Sequence, residues 1–251
     1  MKNNFFFKKP FSNIYKKASK KSEVTSQILY GEKFKILSKN KEWIKIKSTF
    51  DNYIGYIKKN YFYKNFKPTF KIKKTKSRIF IKKKNKFLPT KNYLFFASGI
   101  SVLNKNKGLI EFKKDRWVKK SDIVKIDHIE KNYLKIIKLF KSSKYLWGGK
   151  TSDGIDCSAL IQNYFYYNRM FFPRDTKDQI RFCKRKRSKN RLKGDIVFWK
   201  GHVGICLNKS RFIHAYGPKK KVLIMPTVQT IKLIDNTANL KVKKVSNISN
   251  I

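Results

Sequence analysis

The chain has 251 residues, 41% hydrophobic and 15% aromatic, so it can bury a substantial core, and composition excludes a globally disordered protein. Three cysteines give neither a disulfide framework nor a CxxC metal pair, which favours a reducing compartment. With 62 Lys+Arg against 15 Asp+Glu the net charge is +47, which fits a polyanion binder or an AT-rich codon bias that spreads lysine along the whole length. Nonspecific polyanion binding is expected under either reading.

Residues 1–21 lack sustained periodicity and read as a basic arm. Their only apolar run is Phe5–Phe7, against the roughly 7–15 residues of a signal-peptide core. The apolar stretch from Tyr93 to Leu103 is far short of the ~20 residues of a membrane span. A soluble, cytoplasmic protein is the expectation.

From Glu23 to Phe62 the pattern is strand-like, with Phe34 and Ile36, then Ile44 and Ile46, alternating with lysines. Gly55 inside such a run points to a bulge or a close backbone approach. The pieces Ser26-Gln27-Ile28-Leu29-Tyr30-Gly31-Glu32, Trp43-Ile44-Lys45-Ile46 and Tyr53-Ile54-Gly55-Tyr56 resemble, in order, a bacterial SH3-like domain, placed at 22–66. Residues 67–125 read as a second, weaker β module of the same kind, ending at Trp117-Val118. The spacing of Ile129, Tyr133, Ile136, Ile137 and Phe140 then predicts an amphipathic helix over 129–140. A third domain is expected over 126–233, and a peripheral tail over 234–251.

Within that domain lies YLWGGKTSDGIDCSALIQ, residues 145–162. Asp156 is a good N-cap, and Leu160, Ile161, Tyr164 and Phe165 follow at helical spacing, so Cys157 opens a helix. Exposed N–H groups and the helix dipole there favour thiolate, the nucleophilic form, and predict a lowered thiol pKa. Of three histidines, His128 lies in a connector. His202 and His214 flank the turn-like Asn208-Lys209-Ser210. If those three form a hairpin loop, Leu207 faces Arg211, and both imidazoles project from one face as diagonal neighbours about 7–8 Å apart. That geometry suits a base and its orienting partner. Zinc ligation by Cys157, His202 and His214 is the rival chemistry, but no close ligand pair or suitably spaced carboxylate supports it. Neither metal nor cofactor is expected, and Cys183 and Cys206 read as structural thiols.

Six motifs in order now resemble the NlpC/p60 cysteine peptidases of peptidoglycan. They are Tyr145-Leu146-Trp147-Gly148-Gly149, Gly154-Ile155-Asp156-Cys157-Ser158-Ala159-Leu160, Pro173-Arg174-Asp175-Thr176-Lys177-Asp178-Gln179, Gly194-Asp195-Ile196-Val197-Phe198, His202-Val203-Gly204-Ile205 and Ile213-His214-Ala215. The resemblance implies a papain-like α+β fold, with Cys157 as nucleophile, His202 as general base and acid, His214 as orienting residue and Tyr145 near the oxyanion. It also implies hydrolysis of the γ-D-glutamyl–diamino acid bond of peptidoglycan-derived peptides with a free N-terminal L-Ala. Trp147, Asp156, Ser158 and Asp175 match substrate-facing positions, and Glu23 and Tyr53, with Tyr56 next, are the barrel residues expected at the amine. The alternative is an inert wall or polyanion binding module.

Overall fold

A computed structural model of the chain describes residues 4–59, 62–186 and 191–251. Two compact units emerge, Met1–Glu130 with Tyr167–Arg169, and Lys131–Tyr166 with Met170–Ile251.

The first unit opens with β1 (Asn4–Phe7), β2 (Phe11–Tyr15), β3 (Val24–Leu29), β4 (Lys33–Lys39), β5 (Trp43–Ser48), β6 (Ile54–Lys58) and β7 (Phe62–Tyr63). They form one antiparallel sheet in the order β3-β2-β6-β5-β4-β1-β7. Its core gathers Phe7, Ile14, Ile28, Phe34, Ile44, Ile46 and Ile57. Gly55 sits where a Cβ would come within 2.4 Å of Ile14 Cγ2, which is the close approach its place in the strand suggested. The basic arm expected over 1–21 is corrected: β1 and β2 are integral strands. Consecutive Phe5, Phe6 and Phe7 hide this from a period-of-two reading, because Phe5 packs on Phe34 while Phe6 packs on Phe66. A strand covered on both faces need not alternate.

The second module comprises β8 (Phe70–Ile72), β9 (Lys76–Lys83), β10 (Lys86–Phe95), β11 (Gly99–Ile100), β12 (Asn104–Asn106), β13 (Leu109–Lys113), β14 (Arg116–Lys119) and β15 (Ile123–Lys125). Two sheets, β10-β9-β14-β13-β12 and β11-β8-β15, enclose a core that includes Ile72, Leu94, Ile110 and Val118. Tyr30 of the first module is part of that core, and the Gly99 N–H donates to the Tyr30 carbonyl at 3.0 Å. The boundary expected after residue 66 therefore does not interrupt the packing.

The second unit contains α1 (Tyr133–Lys138), β16 (Lys150–Thr151), β17 (Gly154–Ile155), α2 (Cys157–Tyr167) and α3 (Thr176–Phe182). After these come β18 (Asp195–Trp199), β19 (His202–Cys206), β20 (Arg211–Tyr216), β21 (Lys221–Pro226), α4 (Thr227–Ala238) and β22 (Lys244–Asn247). Strand order is β21-β20-β19-β18-β22, antiparallel throughout. The helix predicted over 129–140 is shorter than its apolar spacing suggested, although Ile136, Ile137 and Phe140 are all buried. The peripheral tail over 234–251 is also corrected: α4 runs to Ala238, and β22 pairs along β18 with Val245, Ser246 and Ile248 buried. Its few apolar residues are too sparse for a strand signal, and pairing with a distant strand supplies the stability. Part of the basic stretch 184–193, residues 187–190, lies outside the described residues. Among the described residues no helix is long and apolar enough to cross a membrane.

Candidate active site

Cys157 is the first residue of α2, as the capping pattern predicts. Asp156 caps the helix: its Oδ1 accepts the Ala159 N–H at 2.8 Å and the Ser158 hydroxyl at 3.0 Å. Its Oδ2 accepts the Gly148 N–H at 3.0 Å, which ties the glycine turn to the helix start. Arg174, only 2% exposed, then forks onto the same carboxylate, Nη1 to Oδ1 at 3.0 Å and Nη2 to Oδ2 at 2.6 Å. It also donates to the Ser158 Oγ at 2.8 Å and the Gly149 carbonyl at 3.4 Å. Five hydrogen bonds saturate Asp156, so it organises the nucleophile's loop, and no acceptor position is left for the substrate ammonium expected there. Arg174 is the second residue of the Pro173–Gln179 motif. Its signal was present all the same, since a buried carboxylate in so basic a chain calls for a fixed guanidinium.

Asp175 differs from Asp156. It precedes α3 but makes no side-chain cap bond, and it stays half-buried. Burial pushes its carboxyl up, against a downward pull from Arg174. Gln179 joins α3 to α2 by donating to the carbonyls of Ser158 at 3.0 Å and Pro173 at 2.9 Å.

The histidines stand on the expected hairpin. Ile205 pairs with Ile213 and Cys206 with Phe212, so the loop is the three-residue one and both imidazoles share a face. His202 Nε2 and His214 Nδ1 are 3.0 Å apart with ring centroids 5.2 Å apart, and His202 Nδ1 takes no part in that bond. His214 is fully buried and stacks on Tyr216 with ring centroids 4.9 Å apart.

The Cys157 sulfur lies 4.0 Å from the Gly201 carbonyl and 3.9 Å from Thr176 Oγ1, and meets the Val203 N–H. It is thus held by the residues on either side of His202. Tyr145 is half-buried; burial, then the proximity of Cys157 and Asp156, pushes its phenol up. Gly217 packs against that ring, where a Cβ would lie 3.3 Å from Cε1. Trp147 is 56% exposed beside it in sequence.

The lowered thiol pKa expected from the helix terminus is corrected. Burial, reinforced by the Asp156 carboxylate, pushes the Cys157 thiol up to about 11, and the Val203 N–H and Thr176 contacts only partly offset this. Burial pushes His202 down to about 3, with His214 adding, and His214 down to about 4. The resting pair at neutral pH is thiol and neutral imidazole.

Glu23, Tyr53 and Tyr56 lie in the first unit. Glu23 pairs with Lys16 at 3.3 Å, the Tyr53 hydroxyl reaches the Thr25 carbonyl at 3.5 Å, and Tyr56 faces Tyr15. His128 is there too, its carbonyl accepting from Lys71 Nζ at 2.6 Å. Cys183 and Cys206 are buried thiols, and Cys206 sits in a cluster with Trp199 and Phe212.

A capped cysteine at a helix start, its sulfur held by the two residues that flank a strand-borne histidine, with a second histidine bonded to the first, has the makings of a cysteine peptidase site. Comparison with known proteins agrees. Residues 142–237 match the NlpC/P60 family and residues 14–60 match the bacterial dipeptidyl-peptidase Sh3 domain. The chain thus carries an NlpC/P60 peptidase domain behind a bacterial dipeptidyl-peptidase SH3 domain. It is 26% identical, over 83% of its own length and 77% of the relative's, to a gamma-D-glutamyl-L-lysine dipeptidyl-peptidase of Bacillus subtilis. It is 35% identical to a dipeptidyl-peptidase 6 of Lysinibacillus sphaericus, over 30% of this chain and 28% of that protein. In fold it resembles an NlpC/P60 family protein from Bacillus cereus, with TM-score 0.74 and 16% identity over 89% of this chain and 94% of the other.

Proposed function

We propose that the chain hydrolyses the γ-D-glutamyl–diamino acid bond of peptidoglycan-derived peptides with a free N-terminal L-Ala. The observation that carries this reading is Cys157 at the start of α2, its sulfur held by Gly201 and Val203 on either side of His202, whose Nε2 lies 3.0 Å from His214 Nδ1. The dipeptidyl-peptidase names of two relatives and the matching SH3 domain support the choice of bond.

As the sulfur attacks the γ-glutamyl carbonyl, its proton passes to His202 Nδ1. The imidazolium, steadied through Nε2 by His214, then protonates the departing amine of the diamino acid. Water deprotonated by His202 cleaves the thioester, releases the L-Ala–D-Glu acid and regenerates the thiol. Tyr145 donates its hydroxyl to the oxyanion of each tetrahedral intermediate. Because the resting groups are neutral, proton transfer accompanies attack and no standing ion pair is needed. Asp175, whose carboxylate has no hydrogen-bond donor among the described residues, accepts the substrate ammonium. Trp147 offers a flat apolar wall, and Ser158 stays with the Asp156–Arg174 cluster.

In this reading the enzyme recycles wall peptides in the cytoplasm, and its charge adds salt-sensitive, nonspecific polyanion binding. Mass spectrometry of the products of L-Ala-γ-D-Glu-diaminopimelate should show cleavage after D-Glu. The N-acetylated peptide should stay intact, and Cys157→Ala should abolish turnover. Equal cleavage of the acetylated peptide would refute the amine requirement, and turnover by Cys157→Ala would refute the mechanism. Cell fractionation and salt-dependent retention on an anionic resin test the two remaining statements.

A further inference from the structure

The edge strand of the catalytic sheet, β21, opens on a lysine that faces a second lysine from outside the sheet. Tyr216 pairs with Lys221 across β20 and β21, and His214 pairs with Leu223. Directly paired residues point to the same face, so Lys221 shares the face of His202, His214 and Tyr216. It also stands at their end of the sheet, where β19 begins and β20 finishes. Lys144 meets Lys221 across an isolated antiparallel bridge. The Tyr145 N–H donates to the Lys220 carbonyl at 2.9 Å and the Val222 N–H to the Ser143 carbonyl at 2.9 Å. These bonds flank the Lys144–Lys221 pair, which makes it the non-hydrogen-bonded kind, with the closest approach of cross-strand side chains.

Two lysines in that position repel each other. Both are exposed, and neither forms an ion pair among the described residues. Lys219 and Lys220, also exposed, complete the turn before Lys221. The same segment packs on the catalytic Tyr145, through Gly217 against its ring and Lys220 against its N–H. An anionic group on the substrate would relieve the repulsion and gain two charge-assisted contacts.

We propose that Lys144 and Lys221 bind a substrate carboxylate and make the enzyme select a diamino acid that bears its own side-chain carboxylate. The proposal rests on the peptidase reading above and specifies its substrate. Diaminopimelate and lysine differ by that one carboxylate, so a pair of peptides isolates the effect.

The test compares L-Ala-γ-D-Glu-meso-diaminopimelate with L-Ala-γ-D-Glu-L-Lys. The native chain should favour the diaminopimelate peptide in kcat/KM by about tenfold, the scale of one charge-assisted contact. The double substitution Lys144→Gln with Lys221→Gln should bring the ratio to about one, and Lys221→Glu should reverse it. Removing the like-charge opposition should not lower the urea midpoint, so loss of fold would not masquerade as loss of selectivity. Equal rates in the native chain, or an unchanged ratio in the double variant, would overturn the proposal. If neither peptide is cleaved, the function proposed above fails, and calorimetric binding of both peptides to Cys157→Ala reads the lysine pair on its own. There a tenfold preference for the diaminopimelate peptide supports the site, and equal binding overturns it.

Discussion

Around Asp156 the second unit buries charge and pairs it fully, whereas at His202 and His214 it buries polar groups and holds them neutral. The carboxylate has Arg174 in bidentate contact, with Nη2 at 2.6 Å from Oδ2, plus three further donors. The histidines have one mutual bond at 3.0 Å, and His214 Nε2 has no partner among the described residues. The difference follows from what each cluster does. The first must hold a loop and a helix terminus in one geometry, for which a forked ion pair has strong directional preference. The second must accept and return a proton, so a permanent counter-charge would fix the state that has to change.

Three measurements break or sharpen this contrast. Arg174→Met should give the largest effect, a loss of about 3–5 kcal/mol, because it strands a buried carboxylate that had been paired. Urea denaturation should also show that adding Asp156→Asn recovers part of the loss, since the two side chains are coupled. An unaltered urea midpoint in Arg174→Met would refute the buried pair.

A pH series should give the next effect. His202 and His214 have folded pKa values of about 3 and about 4, below the usual histidine value near 6.5. Between those limits the unfolded chain binds protons that the folded chain refuses, so stability should fall as pH drops from about 6.5 towards 4. Each histidine contributes a slope of up to about 1.4 kcal/mol per pH unit, and His214→Gln should remove one share of it.

Thiol alkylation should show the smallest effect. With Cys157 pushed up to about 11, its reaction with iodoacetamide should be slow at pH 7 and should rise by about tenfold per pH unit towards pH 11. Thr176→Val should move the curve further up, because the hydroxyl 3.9 Å from the sulfur favours thiolate. A fast, pH-independent reaction at pH 6 would instead show a standing thiolate.

Much of the site was legible because its signals are local. The N-cap Asp156 and the apolar positions after it set the start of α2, and a three-residue turn set the register that aligns His202 with His214. Motif order carried the peptidase resemblance. β1 was missed because its three phenylalanines pack on both sides of the strand, and β22 because it is held by β18, with Asn247 bonded to Asp195 52 residues away.

The sequence by itself determined which residues cap, turn and alternate, since those preferences act within a few positions of the chain. Tertiary structure alone decided that Arg174, 18 residues from Asp156, would occupy that carboxylate and that Asp175 would make no cap bond to α3. It also decided that the thiol would rest protonated despite its helix terminus, and that Lys221 would meet Lys144 on the histidine face. Desolvation and cross-strand pairing depend on which distant segments close over a group, and no local spacing encodes that.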